Sequence, residues 1–243
     1  MPSMEHIDTP AIRALEHETF AGLDCIEHGL VVLRGATSWG AHDRGFIELP
    51  SREGTLRVHL AYDEREAPLA VREDGTEVPD LLLSLTDEND YLACIWARPA
   101  AGSPLMGVGV DLSSREHFRE RPPRRDGRPA RDLSLLLFTE TEQSLIPQLE
   151  PEDDILAKSA LFAAKEAAFK CTASPLRRWY ESHDDELLFE VRHFVMEEPG
   201  LERGTGRNGA AQAAMDRMGI ARVVTHYTEV CGMALVTAVA LAE

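Results

Sequence analysis

The stretch LFAAKEAAFK, residues 161–170, restricts the fold of this chain more than any other segment. Seven of its ten residues are apolar and surround nearly the whole helix, a pattern typical of a helix buried in a core. Burying its charged residues costs free energy unless each has a charged, metal or ligand partner. Glu166 and Lys170 are four residues apart and therefore share a helix face, whereas Lys165 points elsewhere.

Lysine use makes the same helix unusual. The chain has 25 basic residues, of which only three are lysines, and all three lie in this segment: Lys158, Lys165 and Lys170. A chain that otherwise uses arginine keeps lysine where a compact ammonium is needed, because a planar guanidinium does not replace it. Two interpretations stay open from the helix alone: an ion pair between Glu166 and Lys170 on a half-exposed face, or charges that line a ligand site.

Composition limits the class of protein. With 243 residues and 44% hydrophobic content, the chain can form a core in one large domain or in two small lobes. The four cysteines are scattered without a C-x-x-C pair, which argues against a zinc cluster or a disulfide scaffold and fits a reducing cytoplasm. The first ten residues show no secretory signal, and the longest apolar run, MALVTAVALA, is too short to span a bilayer. We expect a soluble, cytoplasmic protein without a membrane segment.

The net charge of −17 argues against general nucleic-acid binding, which needs a basic face. Residues 119–131, RERPPRRDGRPAR, nevertheless carry six arginines among prolines and a glycine. This arginine-rich loop is either a site for a phosphate or an acidic partner protein, or a solvated loop. A literal G-x-G-x-x-G, GTGRNG at 204–209, lacks a strand directly before it and a parallel strand after it, so we interpret it as a flexible loop.

Apolar runs and turn residues predict the order of the elements. The first half contains a helix near 9–23, strands at 29–35, 55–62, 81–86 and 91–97 with a TDEN turn between the last two, and a linker at 98–104. The second half contains a strand at 106–112, a helix around FTETEQSLI, the long helix opened by PEDD at 151–154, a strand at 187–195, a helix at 208–218 and a closing hairpin. The hairpin echoes the strand–turn–strand pattern of the first half. The predicted fold is therefore α+β, with two similar lobes, 1–105 and 106–243.

Asp111 ends the strand MGVGVDL, where its side chain can meet Glu166 from the apolar helix. Two carboxylates from separate elements favour a hard divalent cation, and magnesium usually adds water and substrate phosphate oxygens. Lysines beside such a metal would neutralise a phosphate leaving group. The alternative is structural: Asp111 caps the next segment, and Glu166 pairs with Lys170.

The GVD of residues 109–111 and the FAAKEAAFK of residues 162–170 resemble the G-[VI]-D strand and the W/F-x-x-K-E-[AS]-x-x-K helix of the 4′-phosphopantetheinyl transferases, in particular their two-lobed, surfactin-type group. The intervening arginine-rich loop and LLFTETE stretch are similar as well. The resemblance covers residues 106–243 well and the first lobe loosely.

This resemblance implies a monomeric pseudo-dimer of two α+β lobes that binds coenzyme A and Mg²⁺ in the cleft between them. The enzyme would transfer the phosphopantetheine arm to a serine of an apo acyl or peptidyl carrier protein and release adenosine 3′,5′-bisphosphate. By residue match, Asp111 and Glu166 would hold the metal, Glu166 would also help to deprotonate the serine, and Lys165 and Lys170 would bind phosphate.

Three positions depart from the family pattern. Ser113 stands where the two-lobed group has a third acid. The family's S-[IL]-S-H strand end, which contacts coenzyme A, here reads SLTD, so that Thr86 and Asp87 take its cofactor-side positions. The G-[RK]-P motif reads GTE at 75–77. Arg72 and Arg98 are the candidates to replace the lost contacts. The alternative function is an altered or inactive member that binds a carrier protein or a coenzyme A thioester.

Overall fold

The computed structural model describes residues 5–35, 46–51, 54–64, 67–78, 80–119, 133–183, 187–196, 204–205 and 209–243. Within these residues the protein is a mixed α and β structure with three antiparallel sheets. No helix in these ranges is long and apolar enough to cross a membrane.

The helices are α1 (Pro10–Thr19), α2 (Ser134–Leu137), α3 (Glu140–Leu149), α4 (Asp154–Lys170), α5 (Ala173–Ser182) and α6 (Gly209–Met218), with 3₁₀ turns at Arg115–His117 and Val191–His193. The strands of the first half are β1 (Glu5–His6), β2 (Cys25–Arg34), β3 (Phe46–Ser51), β4 (Gly54–Tyr62), β5 (Pro68–Val71), β6 (Leu82–Glu88) and β7 (Tyr91–Pro99). The later strands are β8 (Leu105–Ser114), β9 (Val195–Met196), β10 (Gly204–Thr205), β11 (Arg222–Val230) and β12 (Met233–Leu241).

The strand orders are β1-β2-β7-β6, β3-β4-β5 and β8-β12-β11-β10-β9. One cluster of buried residues, including Leu49, Val58 and Trp96, joins the three-stranded sheet to the four-stranded sheet. A second cluster joins the other face of the four-stranded sheet, with helix α1, to the five-stranded sheet. Helix α4 covers the opposite face of the five-stranded sheet. Because both faces of strand β12 are covered, all nine of its residues are buried.

Two glycines of strand β8 let helix α4 approach the sheet closely. A Cβ atom built on Gly109 would lie 2.0 Å from the Ala167 carbonyl oxygen, and one built on Gly107 would lie 1.9 Å from that of Cys171. Both distances are far below van der Waals contact, and the obstructing atoms belong to the helix backbone. A G-x-G-x-D strand can therefore lie directly against α4, which brings the acid after the second glycine next to the helix.

Most predicted elements are present, with shifted ends. Helix α1 begins one residue after the expected position and ends at Thr19, and strand β2 begins at Cys25, earlier than expected. The β6–β7 hairpin forms, and its turn contains Asn89 with φ +56°. The closing hairpin of β11 and β12 also forms. Strands β1, β3 and β5 and helix α5 were not predicted.

The strand predicted at 187–195 is wrong. This segment contains a 3₁₀ turn, and the short strand β9 begins only at its last residue. Its aromatic side chains pack individually onto α4, with ring centroids 5.7 Å apart for Phe169–Phe189 and 6.3 Å apart for Phe169–Phe194. The apolar run therefore reflects packing onto a helix and not a sheet ladder.

Nearly all of the arginine-rich loop and half of GTGRNG, residues 206–208, lie outside the described residues. The connection between β7 and β8 falls within the predicted linker. The division into lobes 1–105 and 106–243, and their relation as a pseudo-dimer, stay predictions.

Candidate active site

Strands β6 and β8 meet through side chains that surround Asp111. The Thr86 hydroxyl donates a hydrogen bond to Asp111 Oδ1 at 2.9 Å, and the Val110 amide donates to Ser84 Oγ at 3.2 Å. Asp111 is 5% exposed, so these contacts fix a carboxylate in the interior. Thr86, expected on the cofactor side, is thus a direct partner of the acid expected to hold the metal.

Helix α4 supplies the cation for this carboxylate. Lys170 Nζ lies 2.6 Å from Asp111 Oδ1. Within the described residues no hydrogen bond or ion pair joins Lys170 to Glu166, so the helical pair considered from the sequence does not form. Lys170 instead links the last turn of the helix to the neighbouring strand.

The environment raises the pKa of both acids. Burial raises the pKa of Asp111 above its ordinary value, against the opposing effects of Lys170 and Thr86. Burial also raises the pKa of Glu166, and the neighbouring Asp111 carboxylate raises it further. The effect of Asp111 on Glu166 is consistent with the two carboxylates, from a strand and a helix, lying near each other.

A cavity of about 520 Å³ opens beside this pair of acids. Its walls come from β6 and the ends of β4 and β5 on one side, and from α4, α5 and residues 187–189 on the other. Many lining side chains are apolar, including Leu83, Phe169 and Leu176. Among the described lining residues the acids are Asp63, Asp87 and Glu166, and the cations are Lys170 and Arg177.

The donor set beside the cavity fits a hard cation such as Mg²⁺. Asp111 and Glu166 provide carboxylate oxygens. Ser113, on the same face of β8 as Asp111 because side chains alternate, has a buried hydroxyl without a hydrogen-bond partner in the described structure. No cluster of three or more histidine, cysteine or acidic residues is found in the described part of the chain. A magnesium ion would therefore rest on two carboxylates and take other ligands from the Ser113 hydroxyl, water or phosphate oxygens.

Lys165 has a different environment from the one expected. It is 0% exposed, and its ammonium contacts both carboxylate oxygens of Glu142, at 2.8 and 2.9 Å. Glu142 also accepts hydrogen bonds from the backbone amides of Thr139 and Met196. Burial lowers the pKa of Lys165, and the bond to Glu142 opposes that shift. Since Lys165 is not among the cavity-lining residues, this geometry gives no support to a phosphate contact by its side chain.

Of the other cofactor-side candidates, Asp87 is an exposed residue of the cavity wall. Arg98 pairs with Glu27 at 3.1 Å, and Arg72 contacts Thr76 at 3.4 Å; neither lines the cavity. Sequence reasoning missed Arg177, which does line it. Helix α5, which carries Arg177, was not predicted, and helix α4 ends at Lys170, so no helical spacing from Lys170 identified this residue.

Residues 107–211 match the family model of the 4′-phosphopantetheinyl transferase superfamily. The match includes strand β8, helix α4 and therefore Asp111, Glu166 and Lys170. It supports a phosphopantetheinyl transferase-type function at the level of the superfamily. A comparison with curated proteins gave no match.

Proposed function

We propose that this protein transfers the 4′-phosphopantetheine arm of coenzyme A to a serine of an apo acyl or peptidyl carrier protein. The observation that carries the proposal is the convergence of Asp111, Glu166 and Lys170 beside a cavity large enough for part of a nucleotide cofactor. These residues come from the two motifs inside the matched segment. The two-lobed, surfactin-type architecture and the cytoplasmic location belong to the same proposal.

In the proposed reaction the carrier serine oxygen attacks the phosphorus that carries the pantetheine arm. The bond from this phosphorus to the bridging oxygen breaks, and adenosine 3′,5′-bisphosphate leaves. Glu166 is suited to accept the serine proton, directly or through water, because burial and Asp111 raise the pKa of its carboxyl group. Lys170 places a positive charge beside the phosphate oxygens. Mg²⁺ held by Asp111 and Glu166 would neutralise charge on the pyrophosphate.

A direct test mixes purified protein with apo carrier proteins, coenzyme A and Mg²⁺, and measures the intact mass of each carrier. We expect a mass increase of one phosphopantetheine arm on at least one carrier. The gain should disappear with EDTA, with Glu166→Gln protein and with a carrier whose acceptor serine is alanine.

The acidic lining of the cavity favours a second candidate, a protein that binds a carrier protein or a coenzyme A thioester without transferring the arm. Among the described lining residues three are acids and two are cations, and Asp87 stands where the related enzymes have histidine. Calorimetry separates the two candidates. Binding of coenzyme A or of a carrier, without any mass increase across a panel of apo carriers, would favour the second candidate over the first.

A further inference from the structure

The cations on the cavity wall are already engaged by carboxylates. Among the described lining residues they are Lys170 and Arg177. Lys170 Nζ lies 2.6 Å from Asp111 Oδ1, beside the two acids, and Arg177 Nη2 lies 2.8 Å from Glu77 Oε1. The other two guanidinium nitrogens of Arg177 are buried in the protein, where a ligand in the cavity does not reach them. Apart from Lys170, the described part of the wall therefore offers no free cation to a second phosphate.

The carboxylate of Asp87 on strand β6 is, by contrast, an exposed charge of the cavity wall. Among the described residues its side chain has no hydrogen bond or ion pair. Asp87 directly follows Thr86, whose hydroxyl bonds Asp111, so it lies close to the two acids. Burial raises the pKa of Tyr62, which also lines the cavity, and the charge of Asp87 raises it further. Asp87 and Tyr62 thus form a negatively charged, aromatic part of the wall.

A carboxylate in this position discriminates between the two states of a nucleotide's ribose. In dinucleotide sites an acidic side chain accepts hydrogen bonds from free ribose hydroxyls, whereas an arginine accommodates a ribose that carries a phosphate. A phosphate monoester adds about 1.5 to 2 negative charges near neutral pH, and a nearby carboxylate repels it. A donor with its pyrophosphate beside Lys170 has its ribose as the next group along the wall. Asp87 therefore favours a ribose with free hydroxyls.

We propose that Asp87 is a specificity-determining residue that selects 3′-dephospho-coenzyme A over coenzyme A as the donor. The inference rests on the proposed function, because it requires the pyrophosphate of the donor to lie beside Lys170. The transfer itself is unchanged. The serine oxygen forms a bond to the phosphorus that carries the arm, the bond from this phosphorus to the bridging oxygen breaks, and Glu166 takes the serine proton. The leaving group is then AMP.

The experiment measures binding of coenzyme A and of 3′-dephospho-coenzyme A by calorimetry, with Mg²⁺ and without a carrier protein. Wild-type protein should bind the dephospho ligand about tenfold more tightly, the ratio expected for a carboxylate and a phosphate ~4 Å apart in water. Asp87→Asn should tighten coenzyme A about tenfold and change the dephospho ligand much less. Asp87→Arg should reverse the preference. Asp90→Asn is the matched control, since Asp90 is also exposed, pairs with Arg34 and does not line the cavity.

Salt and the transfer reaction provide two further readouts. Because the repulsion between Asp87 and a ribose phosphate is exposed to solvent, raising the ionic strength should reduce the preference of wild-type protein and leave the Asp87→Asn variant unchanged. On any carrier protein that is modified, the ratio of kcat/KM for the two donors should follow the ratio of their affinities. Mass spectrometry of the released nucleotide should identify AMP with the dephospho donor.

The outcomes separate this inference from the proposed function. If wild-type protein binds neither ligand, with or without Mg²⁺, both are wrong. If wild-type protein binds coenzyme A as tightly as the dephospho ligand or more tightly, the role of Asp87 is wrong and the proposed function stands. The same conclusion follows if Asp87→Asn keeps the preference, or if Asp90→Asn removes it equally. Melting temperatures of all variants identify any loss that comes from unfolding.

Discussion

At the scale of single residues, the two acids of the candidate site differ in their hydrogen bonds and ion pairs. Asp111 has a direct hydrogen bond from Thr86 and a charged contact with Lys170. Glu166, partly buried in the cavity wall, is without a hydrogen bond or ion pair in the described structure. The carboxylate of Glu166 is therefore available to bind a ligand.

Glu166→Gln should lower the rate of phosphopantetheine transfer about a hundredfold or more, because it removes the proposed proton acceptor. Without metal it should not lower stability at neutral pH. The pKa of Glu166 is raised in the folded protein, so burying its charge disfavours folding, and the wild-type free energy of unfolding falls as pH rises from the ordinary carboxyl value through the raised one.

Urea unfolding in EDTA, from mildly acidic to neutral pH, checks this expectation. The variant should lose the part of the pH dependence that comes from Glu166 and should match or exceed the wild-type stability at neutral pH. A variant clearly less stable than wild type at neutral pH would mean that the Glu166 charge serves a structural ion pair.

At the scale of secondary-structure elements, Lys165 and Glu142 attach helix α3 to helix α4, and Glu142 also binds the backbone of β9. Lys165→Met should destabilise the protein by about 3–5 kcal/mol, because it leaves a buried carboxylate without its cation. Lys165→Met combined with Glu142→Gln should recover much of that loss.

Thermal and urea unfolding of the two single variants and of the double variant measure the coupling between the residues. In variants that remain folded, coenzyme A affinity should be near that of wild type. A large loss of coenzyme A affinity in folded Lys165→Met protein would instead support the phosphate contact inferred from the family resemblance.

The contact between β8 and α4 depends on a glycine. Gly109→Ala places a Cβ atom 2.0 Å from the Ala167 carbonyl oxygen. Since this oxygen belongs to the helix backbone, no change of side-chain rotamer relieves the clash, and the strand and helix must separate. We expect a loss of about 3 kcal/mol or more, at the upper end for overpacked cores.

The urea unfolding midpoint of Gly109→Ala should be compared with that of Val108→Ala. The control substitution removes methyl groups from the opposite face of β8. The glycine variant should be the more destabilised of the two. It should also lose coenzyme A binding before it loses secondary structure. Near-wild-type stability of Gly109→Ala would show that the helix can move without cost.

At the scale of the whole molecule, the two halves share a core. Ile12 and Leu15 of α1, with Val32 and Ile95, form one buried cluster with Val108, Val110, Leu112, Leu235 and Val239 of the five-stranded sheet. The fragment 106–243 alone would expose this apolar face to water. We therefore expect it to be aggregated or to lack fixed tertiary packing, although it contains the proposed acids and lysines.

Near-ultraviolet circular dichroism and dye binding of the fragment check this expectation, with the full chain as control. Adding the fragment 1–105 should restore part of the fixed packing if the two halves associate. A fragment 106–243 that unfolds cooperatively on its own would mean that the shared cluster contributes little to its stability.

The sequence by itself determined the local features of this protein. The apolar run of α4, its acidic N-cap and the short turns before β7 and β12 are set by neighbouring residues, and they formed close to where they were predicted. The sequence also led to the prediction that Asp111 and Glu166 share one site, although strand β8 and helix α4 are far apart along the chain. The close contact between β8 and α4 depends on glycines that the motif itself contains.

Only the tertiary structure decided which charges meet. Lys165 and Lys170 are five residues apart on one helix, yet one contacts Glu142 inside the core and the other contacts Asp111 beside the cavity. Arg177 reaches Glu77 across 100 residues of sequence. Such pairings depend on how sheets and helices pack. The free energy that selects them comes from apolar burial distributed over the whole core, which no local pattern of residues records.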